Sequence, residues 1–125
     1  MALVLCTGVD PVLLETRRLI LQQAGHTVTT VMLTDEPALT IACQKQLFDV
    51  VVIGQTIPVR LKKVIVSLLH EYCPTAKILE LYQPHHGKIL QNADAWMEVP
   101  ADVPRDLARR VNELIKTQKG NEGTA

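Results

Sequence analysis

Apolar positions in this chain fall into two patterns that alternate along its length. The first is the short unbroken run. Phe48-Asp49-Val50-Val51-Val52-Ile53 holds five apolar residues interrupted only by Asp49, and four of them are β-branched. A run of that length without alternation marks a strand buried on both faces, as in the middle of a parallel sheet. Ala2-Leu3-Val4-Leu5-Cys6-Thr7 has the same character and ends at Gly8. His26 to Leu33 is β-rich but half polar, which predicts an edge strand. Lys77–Tyr82 and Ala95–Val99 supply a fourth and a fifth strand. In open parallel sheets, ligands and catalytic groups collect at the carboxyl ends of the strands. The loop from Gly54 to Pro58 is therefore where chemistry is to be sought.

The second pattern is helical. Asp10-Pro11 gives an N-cap followed by proline in the first turn, and Gly25 is the stop of a helix from Pro11 to Ala24. Its predicted apolar arc is Val12, Leu13, Leu19, Ile20, Leu21 and Ala24, with Glu15, Arg18 and Gln22 outside as neighbours three and four apart. Arg17 projects near the middle of the apolar arc, where a snorkelling stem is expected. Thr34 or Asp35 caps a second helix, with Pro37 in its first turn and Ala38, Ile41, Ala42 and Lys45 along it. Leu61, Val64, Ile65, Leu68, Leu69 and Tyr72 then fall on one face of a third helix, which Pro74 ends. The last helix starts near Asp102 and Pro104 and turns Val103, Leu107, Val111 and Leu114 inward. Strands alternating with helices predict a doubly wound α/β sheet with right-handed crossovers. One domain over residues 1–118 is expected, followed by a flexible polar tail at 119–125.

Composition narrows the function classes. Apolar content of 47% with 21% charged is ordinary for a globular domain. Thirteen basic and thirteen acidic residues cancel, which speaks against nucleic acid as a partner. One Trp, two Tyr and one Phe provide no base-stacking platform. Cys6, Cys43 and Cys73 are widely spaced and odd in number, so neither a zinc site nor a disulfide framework is expected. With no basic leader and no membrane-length apolar span, a cytoplasmic location without membrane contact is the expectation.

Three stretches carry a resemblance. Leu19-Ile20-Leu21-Gln22-Gln23-Ala24-Gly25-His26 resembles the end of the first helix of bacterial response-regulator receiver domains. Ala42 to Pro58, with its Phe-Asp entry and proline exit, and Asp94-Ala95-Trp96-Met97-Glu98-Val99-Pro100 are similar to that family's third-strand and fifth-strand regions. The resemblance implies a flavodoxin-like (βα)5 fold with five parallel strands in the order 2-1-3-4-5. It also implies a short fourth helix around Lys88 to Asn92, because few residues separate Tyr82 from Trp96. Receivers hold Mg²⁺ and accept a phosphoryl group with two acids after strand one and an Asp after strand three. On this chain the acid pair falls on Gly8 and Val9 and the acceptor on Gly54. The Ser/Thr ending strand four falls on Tyr82, the Lys ending strand five on Val99, and the switch aromatic on Trp96. Mg²⁺ needs carboxylate oxygens that Gly and Val lack. The resemblance thus implies a degenerate receiver, a pseudo-receiver, with no metal and no cofactor.

Other candidates compete. Cys6-Thr7-Gly8 is similar to the nucleophile loop of the phosphocysteine B components of sugar phosphotransferase systems, although Val9-Asp10-Pro11 places a carboxylate beside any phosphate. His85-His86 lacks a third metal ligand and reads as a polar loop. His26 and His70 are expected at the opposite end of the sheet. Arg60, Lys62 and Lys63 open the third helix and read as a solvated face. The leading expectation is a non-catalytic, phosphorylation-independent signalling module that binds a protein partner or its own copy, with Trp96 and Lys88 on the contact surface. A phosphotransfer component using Cys6 and a small-anion binder at the vacated pocket are the alternatives.

Overall fold

The apolar run in the middle of the chain becomes β3 (Val50–Ile53), with every residue buried. The structure is a computed structural model that describes residues 2–32, 36–99 and 105–124, and the side chains of all these except 36, 37 and 117–124. Flanking β3 are β1 (Leu3–Gly8) and β4 (Lys77–Tyr82), and outside these lie β2 (Thr27–Met32) and β5 (Ala95–Glu98). The five strands pair in parallel in the order 2-1-3-4-5. β2, the half-polar strand, is at one edge as its sequence requires. Four helices complete the chain: α1 (Pro11–Gln23), α2 (Glu36–Lys45), α3 (Val59–Tyr72) and α4 (Arg105–Thr124).

Alternation along the strands divides the interior into two cores. Leu5, Val51, Ile53 and Ile78 face α2 and α3, where Leu39, Ile65 and Leu69 meet them. Val4, Cys6, Val50, Val52 and Leu79 face α1 and α4, against Leu14, Leu21, Leu107 and Val111. The amino ends of the strands are tied by side chains. Asp49 accepts the Leu3 N–H at 2.8 Å, and Asp94 accepts the Ile78 N–H at 2.7 Å, each carboxylate reaching the adjacent strand. His26 accepts the Ala2 N–H on Nδ1 at 3.3 Å, so its Nε2 hydrogen points to Asn112 Oδ1 at 2.8 Å and links the start of β2 to α4. His26 and His70 both lie at this end, remote from the strand carboxyl termini.

Local signals produce the expected ends of α1. Asp10 Oδ1 accepts the N–H groups of Val12 and Leu13, and Gly25, at φ 95°, closes the helix with its N–H on Gln22 C=O. The outer face is also as read, with Arg18 bonded to both Glu15 and Gln22. The inner face is not. Leu14, Arg17 and Leu21 are the buried positions, whereas Val12 and Leu19 are exposed. The buried stripe runs through a cation, Arg17, and is therefore turned from the arc that apolar residues alone define. The stripe of α3 shifts in the same way: Lys62, Ile65, Val66 and Leu69 are buried, and Leu61, Leu68 and Tyr72 are only half-buried beside them.

The fourth connecting helix is absent. Residues 83–94 form turns, with Pro84 at their start and Gly87 at φ 73°. The expected caps at Thr34, Asp35, Asp102 and Pro104, and Val103, lie outside the described residues. So do the side chains beyond residue 116, while the expected division at residue 118 falls within α4, which runs on to Thr124.

The shifted stripe has a measurable consequence. Leu69→Ala empties a site only 1% exposed and should cost about 2–5 kcal/mol in urea unfolding. Leu68→Ala, at a half-buried site, should cost appreciably less, and equal losses would place the stripe back where periodicity alone puts it.

Candidate functional site

β1 and β3 end side by side, so the first residues beyond them face each other across the carboxyl rim of the sheet. Gly54 donates its N–H to Thr7 C=O at 3.1 Å. A Cβ built on Gly54 would stand 3.1 Å from that same carbonyl and 3.1 Å from Nη1 of Arg17. The guanidinium therefore lies directly against Gly54, and its Nη2 donates to Gln55 Oε1. Arg17 is 8% exposed, so it does not snorkel to water. Burial draws its pKa down, while the nearby Cys6 and Asp10 oppose that drift. The only carboxylate among these neighbours, Asp10, already caps α1.

The remaining pocket positions are equally unlike acids and cations. Val9 packs against the α2–α3 core, and a Cβ on Gly8 would touch Leu14 at 3.3 Å. Val99 is buried in the α1–α4 core, and Tyr82 is half-buried at the end of β4. Cys6 is wholly buried within β1, and burial pushes its thiol up to about 12, with the charge of Arg17 only partly offsetting this. A thiol held that high is a core residue and a poor nucleophile at neutral pH. His85 and His86 lie against each other at the exposed loop, tilted by 44° with 4.8 Å between ring centres. Among the described residues no group of three or more His, Cys, Asp or Glu converges as a metal site.

Sequence reasoning missed the centre of the second half. Lys62, read as part of a solvated face with Arg60 and Lys63, is completely buried. Its Nζ donates to Glu80 Oε2 at 2.7 Å and to Leu81 C=O at 3.2 Å. Glu80 is also fully buried, and its Oε1 accepts the N–H groups of Ile89 at 3.0 Å and Leu90 at 2.9 Å. The Leu90 carbonyl in turn accepts the indole N–H of Trp96 at 2.9 Å, and Lys88 Nζ lies 5.0 Å from the centre of that ring. One chain of hydrogen bonds, charge-assisted as far as the Leu90 amide, thus runs from α3 through β4 and the 83–94 loop to β5. Trp96 is half-buried against the α2–α3 core, on the opposite side of β5 from Met97 and α4. A cleft of about 340 Å³ opens above Lys62, between the 55–59 loop and Tyr82, Gln83 and His86. The signals were present: Lys62 stands three and seven residues before Ile65 and Leu69, and Glu80 is a lone acid inside an apolar strand.

Many solved structures share this architecture. Chemotaxis response regulator CheY4 of Vibrio cholerae aligns over 91% of this chain and 98% of its own, with a TM-score of 0.74 and 23% identity. A response regulator receiver domain protein from Clostridium thermocellum aligns over 95% and 98%, at TM-score 0.75 and 19% identity. The fold is that of a response-regulator receiver domain. The receiver of sensor histidine kinase PA1611 from Pseudomonas aeruginosa PAO1, at TM-score 0.75 and 19% identity over 92% of this chain and 98% of that one, was solved with a magnesium ion coordinated in its active-site cleft. No protein-family model and no curated protein sequence matches the chain. Where β1 and β3 end, this chain offers Gly8, Val9 and Gly54, none with a side-chain oxygen, and a guanidinium in contact with the last. That donor set does not fit Mg²⁺. Among the described residues no helix is long and apolar enough to cross a membrane.

The buried pair of this receiver fold can be tested in two steps. Glu80→Leu strands the Lys62 ammonium in the core and should cost about 3–5 kcal/mol. Lys62→Met with Glu80→Leu should recover most of that loss in urea unfolding. Both variants leave the Ile89 and Leu90 N–H groups without their acceptor, so the Trp96 emission should move to the red in both. An unmoved spectrum in the double variant would mean that Glu80 does not hold the loop.

Proposed function

We propose that the chain is a non-catalytic protein-interaction module that uses a receiver fold without receiver chemistry. The observation carrying this reading is the Arg17 guanidinium seated against Gly54. Where receivers gather carboxylates around a metal cation, this chain supplies the cation covalently, from its own first helix. A fixed internal cation needs no phosphoryl input to balance it, so the rim has one charge state. Signalling by such a module rests on presence and partner binding. The proposed contact is the β5 edge, where Lys88 covers Trp96 and where Glu98 and Arg110 line the adjoining surface. The phosphocysteine reading is disfavoured by the burial of Cys6 and its raised pKa. A small-anion site at the vacated acids is disfavoured because the side chain of Arg17 already occupies that space and is held by Gln55.

Restoring the acceptor alone should fail. A carboxylate introduced by Gly54→Asp meets Arg17 and the Thr7 carbonyl, so it should pair with the guanidinium and lower the unfolding midpoint. Transition-state charge in phosphoryl transfer is stabilised by metal and cation together, and one acid supplies neither. Acetyl phosphate with Mg²⁺, read by intact mass, should label neither wild type nor Gly54→Asp. Gly8→Asp, Val9→Asp, Gly54→Asp, Tyr82→Thr and Val99→Lys together, with Arg17→Ala, form the smallest set expected to work. Stoichiometric labelling of wild type would overturn the non-catalytic reading.

A further inference from the structure

α1 and α4 lie side by side over the same face of the sheet, and a groove of about 600 Å³ runs between them. Its apolar lining is Ile20 from α1, Ala24 at the α1 C-cap and Ala108 from α4, two of the three with small side chains, beside the polar Gln23 and Asn112. Alanines at such a seam let a third backbone come close. Its rim is basic. Arg105, Arg109 and Lys116 line it against a single acid, Glu113, which is 3.9 Å from Arg110. Arg109 also contacts Asp106 at 3.0 Å, an exposed pair that a better-placed carboxylate can exchange for at little cost. In a chain whose charges cancel overall, this concentration of positive charge around an apolar slot is local.

We infer that the α1–α4 groove docks an acidic amphipathic helix of a partner protein, its apolar face on Ile20, Ala24 and Ala108 and its carboxylates on Arg105, Arg109 and Lys116. The inference rests on the reading of the chain as an interaction module and adds a surface on the opposite core face from Trp96, together with the chemistry of its partner. A second copy of this chain does not fit. A two-fold contact through the groove would set the three cations against their own equivalents. Nor does the chain offer an acidic helix of its own: α1 carries Glu15 beside Arg17 and Arg18, and α3 carries Glu71 against Arg60, Lys62 and Lys63. Nucleic acid is disfavoured by the same neutrality, since three rim cations around an apolar floor make a poor track for a phosphate backbone. A helix set into a groove, with apolar anchors spaced three and four apart and charges along its flanks, matches both features at once.

The test uses the intact ¹⁵N-labelled protein and two synthetic 18-residue peptides. One has leucine at helical three–four spacing and glutamate elsewhere, and the other has the same leucines with lysine elsewhere. The acidic peptide should produce saturable shifts centred on the amides of Ile20, Ala24 and Ala108. Arg105→Glu with Arg109→Glu, both exposed or nearly so and outside the cores, should leave the spectrum folded and weaken binding by about tenfold or more in 0.15 M salt. The lysine peptide should bind far more weakly. Equal binding of the two peptides, shifts centred elsewhere, or no shift at millimolar peptide would overturn the proposal. So would self-association abolished by the charge reversals, or a 12-base-pair duplex DNA that takes the groove more tightly than the acidic peptide. None of these outcomes bears on acetyl-phosphate labelling, so the groove and the non-catalytic reading stand or fall separately.

Discussion

A lysine and a glutamate with no access to water hold the second half of this molecule in shape. Taking both charges out of solvent is unfavourable, and their mutual attraction offsets that penalty only when the remaining hydrogen-bonding capacity is also met. Here it is met by backbone. Lys62 bonds the Leu81 carbonyl as well as Glu80, and the other oxygen of Glu80 takes the amides of Ile89 and Leu90. The acceptor that a helix would have supplied to those two amides comes instead from a side chain of β4. That substitution is how the sheet passes from β4 to β5 without a helix between them, and why the connection can be as short as residues 83–94. Because the pair joins α3 to the loop, and the loop joins Trp96, the packing of one helix and the outline of the β5 edge are set together.

The first half is governed by a different cation. Arg17 crosses from α1 to the gap beside Gly54, and glycine there is a matter of space: a side chain would meet a guanidinium on one side and a backbone carbonyl on the other. Glycine at 54 and arginine at 17 are therefore mutually consistent, as are Asp10 on the α1 cap and Cys6 kept as a neutral core thiol. Each cation is fixed by partners within the chain, Arg17 by Gln55 and Lys62 by Glu80 and the Leu81 carbonyl.

The parts of the structure that could be read from the chain are those where apolar residues behave uniformly. Val50 to Ile53 announces a central strand because every position is buried, and the half-polar Thr27 to Met32 announces an edge. Asp10 before Pro11 and Gly25 after the helix act through local backbone geometry, so they are visible without knowledge of the rest. Arg17, Lys62 and Glu80 were not readable in the same way. Each is a charged residue on a buried stripe, and its partner is distant in sequence: 38 residues for Arg17 with Gln55, 18 for Lys62 with Glu80. Counting them as outward-facing also turned the inferred faces of α1 and α3 by part of a turn. Gly8, Gly54, Tyr82 and Val99 sit at or just beyond the carboxyl ends of their strands, and the guanidinium against Gly54 comes from a helix face that the apolar pattern does not single out.

All three cysteines are buried and none is in a disulfide. Cys6 is in the centre of the sheet, whereas Cys43 and Cys73 meet near the ends of α2 and α3, with the Cys73 thiol directed at the Cys43 carbonyl at 3.7 Å. The native protein therefore shows solvent no thiol, and any cysteine that is modified records an opening of the fold. Because the two locations belong to different layers, they are built-in clocks for two different events. Exposure of Cys43 and Cys73 times the parting of α2 from α3, and exposure of Cys6 times the loss of the sheet itself.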